Sequence, residues 1–123
     1  MRHDAYCSRV PWRVVFHPSV VEWLQSLEPR ELESFMRAVM MLEDFGPSLG
    51  RPIVGTLKGS RFNNLKELRP LSTSLRCLFA FDLKRTAILL VAGDKSLAWK
   101  SWYQSSIPIA EKRFLAHLEE RSD

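Results

Sequence analysis

Residues 62–69 (FNNLKELR), 75–82 (LRCLFAFD) and 86–93 (TAILLVAG) are three runs rich in strand-forming residues, separated only by PLSTS at 70–74 and LKR at 83–85. Short connectors between such runs predict an antiparallel meander. Strand side chains alternate between faces, so each run divides into two sets. In the second run Leu75, Cys77, Phe79 and Phe81 form an apolar core set, and Arg76 leads the opposite face. In the first, Leu65, Glu67 and Arg69 share one face, while Lys66 and Leu68 share the other. Pairing around 70–74 makes Arg69 and Arg76 neighbours on an open sheet face. Two adjacent guanidiniums repel unless an anion lies between them, and Glu67 can neutralise only one. Lys95, after Gly93 and Asp94, brings a third cation to the same end of the sheet.

Upstream, Trp12–Phe16 (WRVVF) reads as a first strand stopped by His17-Pro18, after a loose arm over residues 1–11. Ser19-Val20-Val21-Glu22 has the spacing of a capping box, so a helix is expected from Ser19, with Val20, Trp23, Leu24 and Leu27 inward. Pro29 opens a second helix. Its expected apolar face is Leu32, Phe35, Met36, Val39 and Met40, and Gly46-Pro47 ends it. Residues 46–61 hold four glycines and two prolines and read as loop. Trp99–Tyr103 reads as an aromatic linker, with Trp102 an anchor and Trp99 a candidate stacking residue. A last helix is expected from Pro108 to about residue 120, docking through Ala110, Phe114 and Leu118. The predicted architecture is a single α+β domain of order β-α-α-β-β-β-α: a small, mostly antiparallel sheet, a helical hairpin on one face and a C-terminal helix.

The chain of 123 residues can bury one core, and no apolar run reaches the roughly 20 residues that span a bilayer. A cytoplasmic protein without membrane association is the expectation. Its formal charge of +4 is unevenly placed. Residues 51–113 hold 12 Lys and Arg against 4 Asp and Glu, whereas residues 1–50 hold 5 against 7. A basic second half suits an acidic partner: RNA, DNA or an acidic protein segment. Cys7 and Cys77 lack metal-ligand spacing, and His3, His17 and His117 lack the pairing of a helical zinc site. No metal and no cofactor is expected. His117 reads as a surface or packing residue.

Planar arginine forks match a phosphate, and clustered cations stabilise the charge of a pentacoordinate phosphorane. No histidine falls in the basic cluster, which leaves Glu67, Lys95 and Tyr103 as proton-transfer candidates.

The segment Leu65-Lys66-Glu67-Leu68-Arg69, Arg76 in the next strand, and Leu89-Leu90-Val91-Ala92-Gly93-Asp94-Lys95 together resemble the core signature of the phage-derived, HigB-like branch of the RelE toxin superfamily. The run Trp99–Tyr103, Ile107–Ala110 and His117-Leu118 resembles an actinobacterial subgroup, so the likeness covers roughly residues 12–120. It implies a RelE-like fold and a type II toxin acting as a metal-independent, ribosome-associated endoribonuclease on mRNA. It also implies a cognate helix-turn-helix antitoxin of HigA type. The matched positions are Glu67, Arg69, Arg76 and Lys95, with Lys58, Arg61, Lys66, Trp99 and Lys100 the expected RNA contacts. The alternatives are a gyrase-inhibiting toxin on the same fold and a basic nucleic-acid-binding module without catalysis.

Overall fold

A computed structural model describes residues 10–62, 64–96 and 98–121. Strand β1 (Arg13–Phe16) leads into helices α1 (Pro18–Leu24) and α2 (Pro29–Phe45), and a 3-10 turn (Gly46–Ser48) follows. Strands β2 (Val54–Thr56), β3 (Leu65–Leu68), β4 (Leu75–Phe81) and β5 (Thr86–Asp94) come next, and helix α3 (Trp99–Arg121) ends the order. The sheet order is β1-β5-β4-β3-β2. β1 runs parallel to β5, and the other three pairings are antiparallel. The α+β class and the meander match expectation.

Each face of the sheet carries its own core. Leu68, Cys77, Phe79, Ala87 and Leu89 pack against Val20, Phe35, Ala38, Val39 and Leu42 of the helical hairpin. Leu65, Leu78, Ala80, Ile88, Leu90 and Val91 pack against Ile107, Ala110 and Phe114 of α3. Full burial of one such side chain contributes about 1.5–3 kcal/mol, so both layers are needed to hold a sheet of short strands. The face carrying Arg76 is therefore covered by α3 along its centre, and only its margin is open.

Four expectations are corrected. The first helix begins at Pro18, not Ser19: His17 is the N-cap, its Nδ1 accepting from the Ser19 N–H at 3.1 Å, and proline fits the first helical position. Helix α2 turns Phe35, Ala38, Val39 and Leu42 inward, while Leu32, Met36 and Met40 stay exposed. The stripe is rotated because Ala38, small enough for close approach to the sheet, sits at its centre. Residues 46–61 contain β2, a fifth strand, whose central Gly55 hides it from a pattern search. Helix α3 starts at Trp99 and passes through Pro108. Pro108 and Gln104, whose carbonyl loses its helical partner, are both exposed, so water can satisfy that carbonyl.

A register irregularity sets up the site. Leu78 pairs with Val91 but Phe79 pairs with Leu89, so Leu90 is the extra residue of a bulge in β5. Ile88 and the bulged Leu90 face α3, and the bulge turns Val91 and Gly93 to that same face. Among the described residues no helix is long and apolar enough to cross a membrane.

Candidate functional site

The β3–β4 register pairs Glu67 with Leu78 and Leu68 with Cys77, and its continuation sets Arg69 opposite Arg76. Arg69 lies just past β3, fixed by its N–H donating to the Ile53 carbonyl at 2.7 Å. Its guanidinium rests on bare backbone at Gly55, where a Cβ would lie 2.3 Å from Arg69 Cζ. Arg76 stands opposite Gly93. There the Trp102 indole descends so closely that a Cβ would lie 2.2 Å from its Nε1. Two glycines inside strands thus give the arginine pair its side walls.

Glu67 lies between the guanidiniums, its side chain only 3% exposed. Its Oε1 accepts from Arg69 Nε at 2.9 Å and stands 4.0 Å from Arg76 Nε, and its Oε2 accepts from the Tyr103 hydroxyl. A buried carboxylate so placed is a counter-ion, with one hydrogen bond accepted at each oxygen. Arg76 Nη1 donates to the Leu75 carbonyl at 2.7 Å, while its buried Nε has no hydrogen-bond partner among the described residues. Arg69, with its side chain 34% exposed against 14% for Arg76, is the more open of the two. Burial, with the hydrogen bond to Glu67 second, pushes the Tyr103 phenol up to about 12. Tyr103 is therefore a protonated donor at neutral pH, not a base. One carboxylate against two guanidiniums leaves a net positive charge, open to an anion on the Arg69 side.

The remaining expected residues separate. Lys95 lies just past β5, its N–H donating to the Ser74 carbonyl at 3.1 Å, and its ammonium joins no ion pair among the described residues. Lys66 is not brought to the cluster, since alternation turns it to the opposite face from Glu67. Lys58 is exposed in the loop after β2. Arg61 is tied to α3: its N–H donates to Glu111 Oε2 at 2.8 Å and its Nε stands 3.9 Å from Oε1. Lys100 is exposed on the first turn of α3, and the side chain of Trp99 lies outside the described residues. Cys77 is a buried free thiol whose pKa burial raises, and Cys7 lies outside the described residues. Among the described residues no group of three His, Cys, Asp or Glu could hold a metal ion.

A second polar network fastens α3. Arg113 Nη1 donates to Ser19 Oγ at 2.8 Å and to the Leu90 carbonyl at 2.7 Å, and His117 Nε2 lies 3.0 Å from Asp82 Oδ2. His117 is thus a packing residue with a buried acidic partner.

Comparison with known proteins places the chain in a family. Residues 22–115 match the family model described as phage derived protein Gp49-like. A protein of Mycobacterium tuberculosis strain H37Rv named as the toxin HigB3 is 49% identical over 100 residues, covering 81% of this chain and 88% of that protein. A second from the same strain, named as the toxin HigB2, is 41% identical over 120 residues. That match covers 95% of this chain but 59% of the relative's length. Among solved structures, the archaeal RelE–RelB complex from Pyrococcus horikoshii OT3 aligns at a TM-score of 0.58 and 25% identity, over 71% of this chain and 98% of that one. A free-state mutant of the Escherichia coli toxin RelE aligns at 0.60 and 12% identity, over 84% and 97%. The sheet order, the two-sided helical cover and these likenesses agree: the chain belongs to the Gp49-like family of phage-derived proteins and is a HigB-like toxin of the RelE superfamily.

Proposed function

We infer that this toxin is a metal-independent, ribosome-associated endoribonuclease that cuts mRNA and so stops translation. The observation that carries the reading is the Arg69–Arg76 pair, set face to face across β3 and β4 with a single buried carboxylate between them. A phosphodiester beside Arg69 gains two charged donors. As the ribose 2′-oxygen bonds to phosphorus and the 5′-oxygen leaves, the phosphorane gains negative charge, which the guanidiniums stabilise. Glu67 and Tyr103 hold the arginines in place and take no proton. Lys95, next to Asp94 at the end of β5 opposite Leu75, gives a proton to the leaving 5′-oxygen, and the 2′-hydroxyl proton passes to water. The partner is a cognate antitoxin, a reading supported by the archaeal relative solved with RelB, and its helix-turn-helix, HigA-like type follows from the HigB-like character of the chain.

The test is induction of the toxin alone, followed by mapping of message 5′ ends. Translation arrest with new ends inside messages is expected, and co-expression of the antitoxin reverses it. Arg69→Ala and Arg76→Ala each lower cleavage by about 100- to 1000-fold, the usual cost of removing one donor to a developing anion. A folded Arg76→Ala protein with full toxicity overturns the site. DNA damage with intact messages selects a gyrase poison instead.

A further inference from the structure

Trp102 reads as an anchor in the sequence, and part of it is one. The Nε1 edge of the ring lies on Gly93, and Tyr103 meets it edge-on, with ring centroids 5.0 Å apart and planes at 78°. Yet the residue is only half-buried, and its indole N–H makes no hydrogen bond among the described residues. A tryptophan used purely for packing normally buries its ring and satisfies that donor. The location adds to this. Gly93 stands directly opposite Arg76, so one turn of α3 delivers Tyr103 to Glu67 and Trp102 to the flank of Arg76. Two features meet on that side: a half-buried aromatic ring whose N–H has no partner among the described residues, and the Arg76 guanidinium opposite Gly93. Aromatic faces beside cations are how proteins hold unpaired bases, because every base has a π-face.

We propose that Trp102 is the nucleobase contact of this site, stacking on the base that adjoins the phosphate held by Arg69 and Arg76. The ligand is a single-stranded ribonucleotide, and the residue sets position and base preference, not proton transfer. The proposal rests on the RNA reading above but does not require cleavage.

The test measures binding of a short 2′-O-methyl oligoribonucleotide, which cannot be cut, and of an abasic oligomer of the same length. The wild-type protein is expected to prefer the base-bearing oligomer. Trp102→Leu keeps apolar packing on Gly93 but loses the π-face. It should weaken base-bearing binding by roughly 5- to 100-fold and leave abasic binding unchanged. Trp102→Phe should recover most of the loss. Equal losses on both oligomers, wild-type binding by Trp102→Leu, or no wild-type preference for bases each overturn the proposal. Base-dependent binding by a toxin that leaves messages intact supports the Trp102 contact and overturns only the nuclease reading.

Discussion

The arginine pair depends on residues that carry no charge. Gly55 is the clearest case, because its backbone is the surface on which the Arg69 guanidinium lies. A methyl group there would meet Cζ at 2.3 Å, Nη2 at 2.5 Å and Nε at 2.8 Å, far inside contact distance. The backbone cannot yield, since Gly55 is paired with Glu67 and Arg69 is tied to Ile53. The guanidinium is the mobile partner, and moving it breaks the 2.9 Å bond to Glu67. Gly55→Ala is therefore expected to leave the fold intact, lower cleavage by about tenfold or more, and cost about 1–3 kcal/mol for the buried carboxylate left short of a donor. Message cleavage and a denaturant melt on one preparation check both parts. A variant with unaltered activity and stability would show that Arg69 does not need this shelf.

At the scale of the elements, α3 is fixed at both ends by polar contacts, and its far end meets the cap of α1. His17 caps α1 through Nδ1, shares Ser19 with Arg113, and has a pKa lowered first by burial and then by the Arg113 charge. The sign of the consequence follows from proton uptake. A histidine lowered below its unfolded value of 6.5 binds a proton more readily in the unfolded chain. Its contribution is complete above that value and is lost as pH falls through the folded one. Thermal melts between pH 8 and 5, the latter on the order of one unit below the usual imidazole range, should show stability falling on the acid side. His17→Asn, a cap that does not titrate, should flatten that slope without abolishing the helix. An unchanged slope in the variant would assign the acid sensitivity elsewhere. These elements also show what a sequence exposes. Apolar alternation in β3 and β4 was enough to place Glu67, Arg69 and Arg76 on one face, because period two survives in regular strands. The register of Gly93 was not legible, since a bulge at Leu90 leaves no mark in TAILLVAG. The start of α3 was hidden because Trp99–Tyr103 is polar and aromatic, and Pro108 suggests a boundary that helix geometry overrides at an exposed position. Tyr103 was visible only as one proton-transfer candidate among three. Its bond to Glu67 spans 36 positions, a separation that no local pattern encodes.

The whole molecule is electrically lopsided, and the lopsidedness follows its architecture. Positive charge concentrates in residues 51–113, which form β2–β5 and the first part of α3, whereas α2 carries Glu31, Glu33, Glu43 and Asp44 against Arg30 and Arg37. One face of that sheet carries the arginine site, while the acidic hairpin covers the other. A polyanion is therefore drawn to one side of the molecule, before any short-range contact forms. The strength of that draw is measurable as the fall of RNA affinity with salt. Each phosphate neutralised on a single strand contributes about 0.7 to the slope of log affinity against log salt concentration. Arg69→Gln should thus reduce the slope by about 0.7. Arg37→Gln, on the exposed face of α2 and paired with Glu33 at 3.5 Å, should leave the slope unchanged. The pair of variants separates a local site from a diffuse charge effect, because both remove the same net charge. Equal reductions by the two substitutions would mean that RNA responds only to total charge, and that the face carrying Arg69 has no special claim on it.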